Sequence, residues 1–238
     1  MTMGNRFPVN NWSFNSDAIL KNLPEQDLAI LLAHQSTHSH NAGDVIFREG
    51  AFASGIYIIK QGKVKKYKVD VHGCEQIIYI ANAGELLGYH AVLAEERYSD
   101  SAAALEKTIV RFVPKEDLIA TVRQSSVLTS RLLKTLSHEF TVLSNQLALL
   151  GQKTARERLA TQLIVLREKY SAPGQAEDGV IDISRENLAS LIGIARENIV
   201  RLLREFKNQK IIATEGRKIK VLDMTLLLNV AENSARNS

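Results

Sequence analysis

The stretch Ile183 to Ile212, ISRENLASLIGIARENIVRLLREFKNQKII, holds two amphipathic helical patterns broken by Gly193. Leu188, Leu191 and Ile192 give the first pattern one apolar face, and Ile199, Leu202, Leu203 and Phe206 do the same for the second. A small residue between them permits close crossing, which is the pattern of a helix-turn-helix. Ser184 stands where a hydroxyl can cap the first helix. The second helix opens with Arg196 and Glu197, and Arg201 follows Glu197 by four, so those two share a face one turn apart. The start of such a helix is the part that reaches base edges in a DNA major groove. Arginine can donate two hydrogen bonds to guanine O6 and N7, and glutamate can accept from cytosine N4. A glutamate inside a basic patch weakens attraction for phosphate, which favours base reading over bulk charge. The competing reading is a solvated Glu197 to Arg201 ion pair, worth only ~0.3 kcal/mol.

The flanks complete a larger unit. Thr154 to Tyr170 reads as a helix, Ser171 to Gly179 as a loop, and Val180 to Ile183 as a short strand. Lys210 to Asp223 reads as a hairpin turning at Glu215 and Gly216, and Met224 to Glu232 as a last helix. Helix, strand, helix, turn, helix and hairpin is the winged helix-turn-helix order. Charge agrees with this division. Residues 1–150 carry 15 Lys+Arg and 15 Asp+Glu, whereas residues 151–238 carry 15 and 11, so the whole excess of +4 lies in the last 88 residues. Lys207, Lys210, Arg217, Lys218 and Lys220 are the expected phosphate contacts.

Upstream, Pro114 to Gly151 is free of internal proline and glycine and reads as a long helix. Leu133, Leu136, Phe140, Leu143, Leu147 and Leu150 step by threes and fours, the seam of a two-stranded coiled coil, which predicts a homodimer. Before it, Gly43 to Pro114 contains short β-type runs punctuated by glycine, the spacing of an antiparallel jelly roll, and Asp17 to His34 reads as a helical lead-in. The expected fold class is therefore α+β, with three parts: a β-roll with N-terminal helices over 1–114, a dimerisation helix over 115–151, and a winged helix-turn-helix over 152–238. No apolar run approaches the ~18 residues of a membrane span, and Met1 to Ser13 lacks the layout of a signal peptide, so a cytoplasmic protein with no membrane partner is expected. The single cysteine, Cys74, permits no internal disulfide and cannot by itself hold a zinc ion or an iron-sulfur cluster.

Taken together, AGDVIFREGAFASGIYIIKQGKVKKYKV in the β-roll, the long helix, and ISRENLASLIGIARENIVRLLREFKNQKII resemble the Crp-Fnr family of bacterial transcription regulators over nearly the whole chain. The resemblance implies that Arg196 and Arg201 read guanines and Glu197 a cytosine in palindromic half-sites similar to TGTGA, and that Arg185 and Arg217 touch phosphate. It implies RNA polymerase as a partner, with Ser171 to Gly179 in the region that activators of the family use for that contact. Ala195 departs from the pattern, because the family usually has serine or threonine there, and the lost cap costs about 1 kcal/mol.

The family's cyclic-nucleotide pocket needs a glutamate for the ribose and an arginine for the phosphate. Here Gly88 is retained, but Tyr89 stands in place of the glutamate and Asp100 in place of the arginine. Phe140 and Thr141 replace the Thr-Ser pair that meets the purine. A carboxylate facing a buried phosphate repels it, so cyclic AMP is not expected as effector, and no cofactor is assigned. Tyr89, His90, Asp100 and Ser101 are expected to line whatever cavity survives, with haem on His90 as an alternative. An enzyme is the alternative of another class. His38-x-His40 with Asp44 or Glu49 resembles the first metal box of a cupin, but a second box is missing, because His72 falls in a turn and His90 lacks suitable flanks.

Overall fold

The computed structural model describes residues 7–171 and 179–232. The chain forms two compact units, one of residues 14–138 and one that joins residues 7–13 to residues 139–232.

The first unit is a β-roll of two four-stranded antiparallel sheets. Its strands are β1 (Ser36–His40), β2 (Val45–Phe47), β3 (Gly55–Gln61), β4 (Val64–Val69), β5 (Glu75–Ala81), β6 (Leu86–Leu87), β7 (Ser101–Ala104) and β8 (Thr108–Pro114). They are ordered β1-β8-β3-β6 and β2-β7-β4-β5. Glycine punctuates them where the turns need positive φ, and at one point where backbones nearly touch. A Cβ on Gly55 would lie 2.2 Å from the Val113 carbonyl oxygen of the neighbouring strand. The helices of this unit are α1 (Glu25–Leu31), α2 (Tyr89–Ala94) and α3 (Lys115–Gln124), followed by the start of α4 (Ser126–Gln152). Ile19, Leu31, Tyr89, Leu118, Leu128 and Leu132 pack with Ile56 and Val113 of β3 and β8 into one buried cluster. Each such side chain contributes roughly 1.5–3 kcal/mol by leaving water, which binds the helices to the sheet.

Two expectations are corrected. The helix expected to run unbroken through residues 115–151 is divided at Ser125, whose backbone turns extended. Its Oγ accepts from the Leu128 amide at 3.0 Å and donates to buried Asp27 Oδ2 at 2.5 Å, so a hydroxyl that caps the second helix breaks the first. Tyr89, expected to line a cavity, is instead buried in the first turn of the short helix α2, which is entered through Gly88 at φ +78°.

The second unit begins where α4 passes residue 138. Thr154 then caps α5 (Ala155–Lys169) in a capping box with Glu157. Next come β9 (Ile181–Asp182), α6 (Arg185–Ile192), α7 (Arg196–Asn208), the hairpin β10 (Ile212–Glu215) and β11 (Lys218–Val221), and α8 (Met224–Glu232). The strands form one antiparallel sheet in the order β10-β11-β9. The expected loop Ser171 to Gly179 lies, apart from its two ends, outside the described residues. Among the described residues no helix is long and apolar enough to cross a membrane.

Gly88 gives a direct test of the β-roll. A Cβ there would lie 2.8 Å from Tyr98 Cε1 and force a side chain into the left-handed region. Tyr98 has little room to yield, because its hydroxyl donates to the Gly55 carbonyl at 2.6 Å. Burial, with neighbouring Tyr57 adding, pushes that hydroxyl up to about 12, so it keeps its proton at neutral pH. Gly88→Ala should cost about 1–3 kcal/mol, seen as a lower urea midpoint of the full chain.

Candidate nucleic-acid interface

The recognition surface follows from how α7 is seated. Ile199, Leu202, Leu203 and Phe206 are buried, and Arg196, Glu197, Arg201 and Arg204 occupy the exposed side. The helix is amphipathic because its apolar residues return every three or four positions. The turn before it is made by Gly193, at φ 75° and ψ 47°, whose amide donates to the Ala189 carbonyl at 2.9 Å. Ser184 Oγ accepts from the Asn187 amide at 3.1 Å and so caps α6. Ala195 occupies the N-cap of α7 and makes no side-chain cap bond, so the opening turn of α7 lacks the cap that α6 possesses.

Helix α5 holds this pair from behind. Arg158 Nε donates to the Ile192 carbonyl at 3.1 Å, and Arg156 Nε donates to Glu205 Oε1 at 2.8 Å while its Nη2 reaches Gln209 Oε1 at 2.9 Å. These arginines therefore position the motif and are not part of its exposed face.

Arg196, Arg185 and the wing form one contiguous polar network. Arg196 Nε lies 2.5 Å from Glu186 Oε1 at the start of α6. The Glu186 carboxyl is held below its ordinary range, chiefly by its own backbone N–H, with the Arg196 hydrogen bond and charge adding to this and burial opposing it. Next to it, Arg185 Nη2 donates to the Gly216 carbonyl at 2.9 Å and Nη1 to the Arg217 carbonyl at 3.3 Å. Arg185 thus clasps the wing turn to α6, and partial burial lowers its pKa from the ordinary arginine value, opposed by the charge of Glu186. Arg217 Nε pairs with Asp182 Oδ1 at 3.1 Å. Lys218 and Lys220 are exposed on β11, on the opposite face from buried Ile219.

The expected phosphate contacts are thus not all brought together. Lys207 lies in the last turn of α7 and Lys210 just beyond it at φ 57°, so ~16–20 Å of helix separates them from Arg196. At that end a cation complements the helix dipole, which accounts for them without a ligand. Two residues were missed by sequence reasoning. Arg204 follows Arg201 by three on the exposed face, and the helical period alone would have found it. Glu186 pairs with Arg196 across the turn, and nothing local in the sequence announces that contact.

Within the β-roll unit, the expected effector residues Tyr89, His90, Asp100 and Ser101 are each engaged in contacts of their own. Tyr89 is 1 % exposed and belongs to the core cluster around Ile56 and Leu128, so its reading as a cavity wall is corrected: its large ring fills apolar space. His90 stacks on Tyr89 with centroids 4.2 Å apart. Ser101 is buried, and its Oγ accepts from the Glu49 amide at 2.9 Å. Asp100 Oδ2 pairs with Lys66 Nζ at 3.1 Å. Phe140 and Thr141 fall in the other compact unit, both exposed on α4. His38 Nε2 is hydrogen-bonded to Ser36 Oγ at 2.8 Å, and among the described residues no group of three or more His, Cys, Asp or Glu side chains is placed to hold a metal. An iron-sulfur cluster takes four ligands, commonly thiolates, and the one cysteine, exposed in the turn between β4 and β5, does not fit that requirement.

A β-roll followed by a long helix and a winged helix-turn-helix with a charged, solvent-facing recognition helix defines a DNA-binding transcription regulator. Comparison with known proteins agrees. Residues 37–125 match the cyclic nucleotide-binding domain and residues 157–230 the Crp-like helix-turn-helix domain. The transcriptional activator protein Anr of Pseudomonas protegens is 31% identical over 193 residues, covering 81% of this chain and 79% of that one. FnrA of Stutzerimonas stutzeri is also 31% identical, over 76% of this chain and 74% of its own. Among solved structures, FixK2 from Bradyrhizobium japonicum superposes with a TM-score of 0.75 at 24% identity, covering 84% of this chain and 99% of that chain. The chain belongs to the Crp-Fnr family of transcription regulators.

The wing clasp gives a prediction independent of DNA. Arg185→Ala should speed amide exchange across β10 and β11, corresponding to about 1 kcal/mol after allowing for partial solvent exposure. Arg185→Lys should not restore protection, because one ammonium cannot fork to two carbonyls as the guanidinium does.

Proposed function

We propose that the protein acts as a homodimer that reads a palindromic promoter site with TGTGA-like half-sites, Arg196 and Arg201 on guanines and Glu197 on a cytosine. The observation that carries this reading is the exposed side of α7, where these three side chains share the opening turns of a helix whose other face is buried. Arg196 approaches DNA with its Nε already engaged by Glu186, which leaves its two terminal nitrogens for a base edge. Arg217 and Lys218 in the wing, with Lys220 on β11, supply phosphate contacts, and binding weakens with salt as counterions are released. Arg185 acts mainly through the wing turn that it holds.

Dimerisation through α4 is supported by the apolar side chains left in solvent along one seam. Leu133, Phe140, Leu143, Leu147 and Leu150 are 62%, 73%, 44%, 73% and 49% exposed, and Leu136 is half-buried. A stripe of that kind on an isolated helix calls for a matching helix. Two copies joined there would present recognition helices to successive major grooves, ~34 Å apart. The protein works in the cytoplasm and contacts RNA polymerase from its promoter site. It does not respond to cyclic AMP, because Asp100 places a carboxylate where the phosphate charge would have to be met, and Lys66 is already paired with that carboxylate.

Selection of bound sequences from a random DNA pool tests the reading. Arg201→Ala should lose about 1–3 kcal/mol on the preferred site and relax the preference at one base pair per half-site. Lys218→Ala should weaken every sequence alike and reduce the salt slope by about 1. Unchanged base preference in Arg201→Ala would remove the base-reading role. A charge in the seam, Leu147→Asp, should yield monomers by analytical ultracentrifugation and abolish tight binding to the full palindrome.

A further inference from the structure

Of the three side chains proposed to read bases, one is held and two are not. Arg196 Nε meets Glu186 Oε1 at 2.5 Å, whereas Glu197 and Arg201 form no ion pair among the described residues. Arg196 is the first residue of α7, where the helix dipole presents its positive end and a cation is unfavourably placed. Ala195 at the N-cap has no side-chain acceptor to offset this. Glu186 supplies the negative charge from the neighbouring helix. It is the second residue of α6, whose positive end favours a carboxylate, and it accepts from its own backbone N–H and the Ser184 hydroxyl as well as from Arg196. Arg185, next to it in the chain, directs its guanidinium to the Gly216 and Arg217 carbonyls, and Glu186 bonds across the turn instead.

A carboxylate on this face works against binding. It stands beside the cations proposed to meet a polyanion, and so weakens attraction to every duplex alike. As a stabilising contact it gives little in return, because the two partners are 57% and 61% exposed. What it does provide is direction. A free arginine side chain samples many rotamers, and fixing one of them at contact costs entropy. With its Nε engaged, Arg196 has lost much of that freedom before any duplex arrives.

We propose that Glu186 is a positioning residue for base recognition: it presets Arg196, giving up general affinity for DNA in favour of discrimination at the base pair that Arg196 reads. The inference rests on the base-reading role proposed for Arg196. Preferences set by Glu197 and Arg201 do not depend on Glu186.

The test is selection of bound sequences from a random DNA pool with the full chain, followed by titrations on the preferred site, on sites with one base pair changed per half-site, and on an unrelated duplex. Arg196→Ala locates its base pair as the position where preference is lost. Glu186→Ala should reduce preference at that position by roughly two- to fivefold, the range of an exposed ion pair, and leave the other positions unchanged. It should also bind the unrelated duplex about twofold more tightly. Glu186→Gln removes the charge but keeps an acceptor for Nε, so it should show the same tightening and retain part of the preference. In the Arg196→Ala background, Glu186→Ala should alter no base preference, because a double-mutant cycle isolates what the two residues do together. A merely structural role would weaken all positions equally, and that result overturns the proposal. So does an unchanged preference at the Arg196 base pair in Glu186→Ala, weaker binding of that variant to the unrelated duplex, or a loss of preference that persists without Arg196. If Arg196→Ala alters no base preference, the base-reading role falls and this inference with it. If only the Glu186 variants leave preference intact, base reading stands and the positioning role falls alone.

Discussion

The seating of one helix is the constraint on which the DNA-binding unit depends. Four side chains, Ile199, Leu202, Leu203 and Phe206, leave water when α7 docks, contributing together about 6–12 kcal/mol. The exposed ion pair between Arg196 and Glu186 contributes at most ~1 kcal/mol, so it does not decide how the helix is rotated. Hydrophobic burial decides the rotation, and the charged residues point outward as its consequence. Polar groups then refine the arrangement from three sides: Arg156 and Arg158 from α5, Ser184 at the head of α6, and Arg185 at the wing. A regulator built in this way can change the exposed side chains of α7 without disturbing its core, since the two sets lie on opposite faces.

The β-roll shows the opposite economy, with residues expected to line a cavity held in packing and hydrogen bonds. Tyr89 joins the core beneath α1, α3 and α4, Ser101 holds the Glu49 amide, and Asp100 neutralises Lys66. Fold and ligand are therefore separable in this chain: the β-roll persists because its strands bury Ile56, Ile59, Val64 and Val110, none of which depends on an effector.

Much of this was legible in the sequence where the physics is local. Periodicity identified both helices of the DNA-binding motif and the wing, since each follows from which residues must be buried and from glycine at the turns. The base-reading candidates emerged from their spacing on α7. The break at Ser125 was not legible, because it arises from a bond to Asp27, 98 residues away in sequence. Nor was the fate of Tyr89, since a tyrosine beside a conformationally special glycine suits a cavity wall and a core equally well. For Lys207 and Lys210 a charge count gave the sign but not the place: they stand at the C-terminal end of α7, which depends on helix length.

The grip of Arg185 on the wing has an evolutionary corollary. It holds the carbonyl oxygens of Gly216 and Arg217, which every amino acid possesses, and no side chain of the hairpin takes part. Apart from Gly216, whose φ of 53° favours glycine, residues of the hairpin can therefore be exchanged without loosening the joint. The wing is a surface of variable side chains on a fixed mount, because its joint to α6 is made through the hairpin's backbone alone.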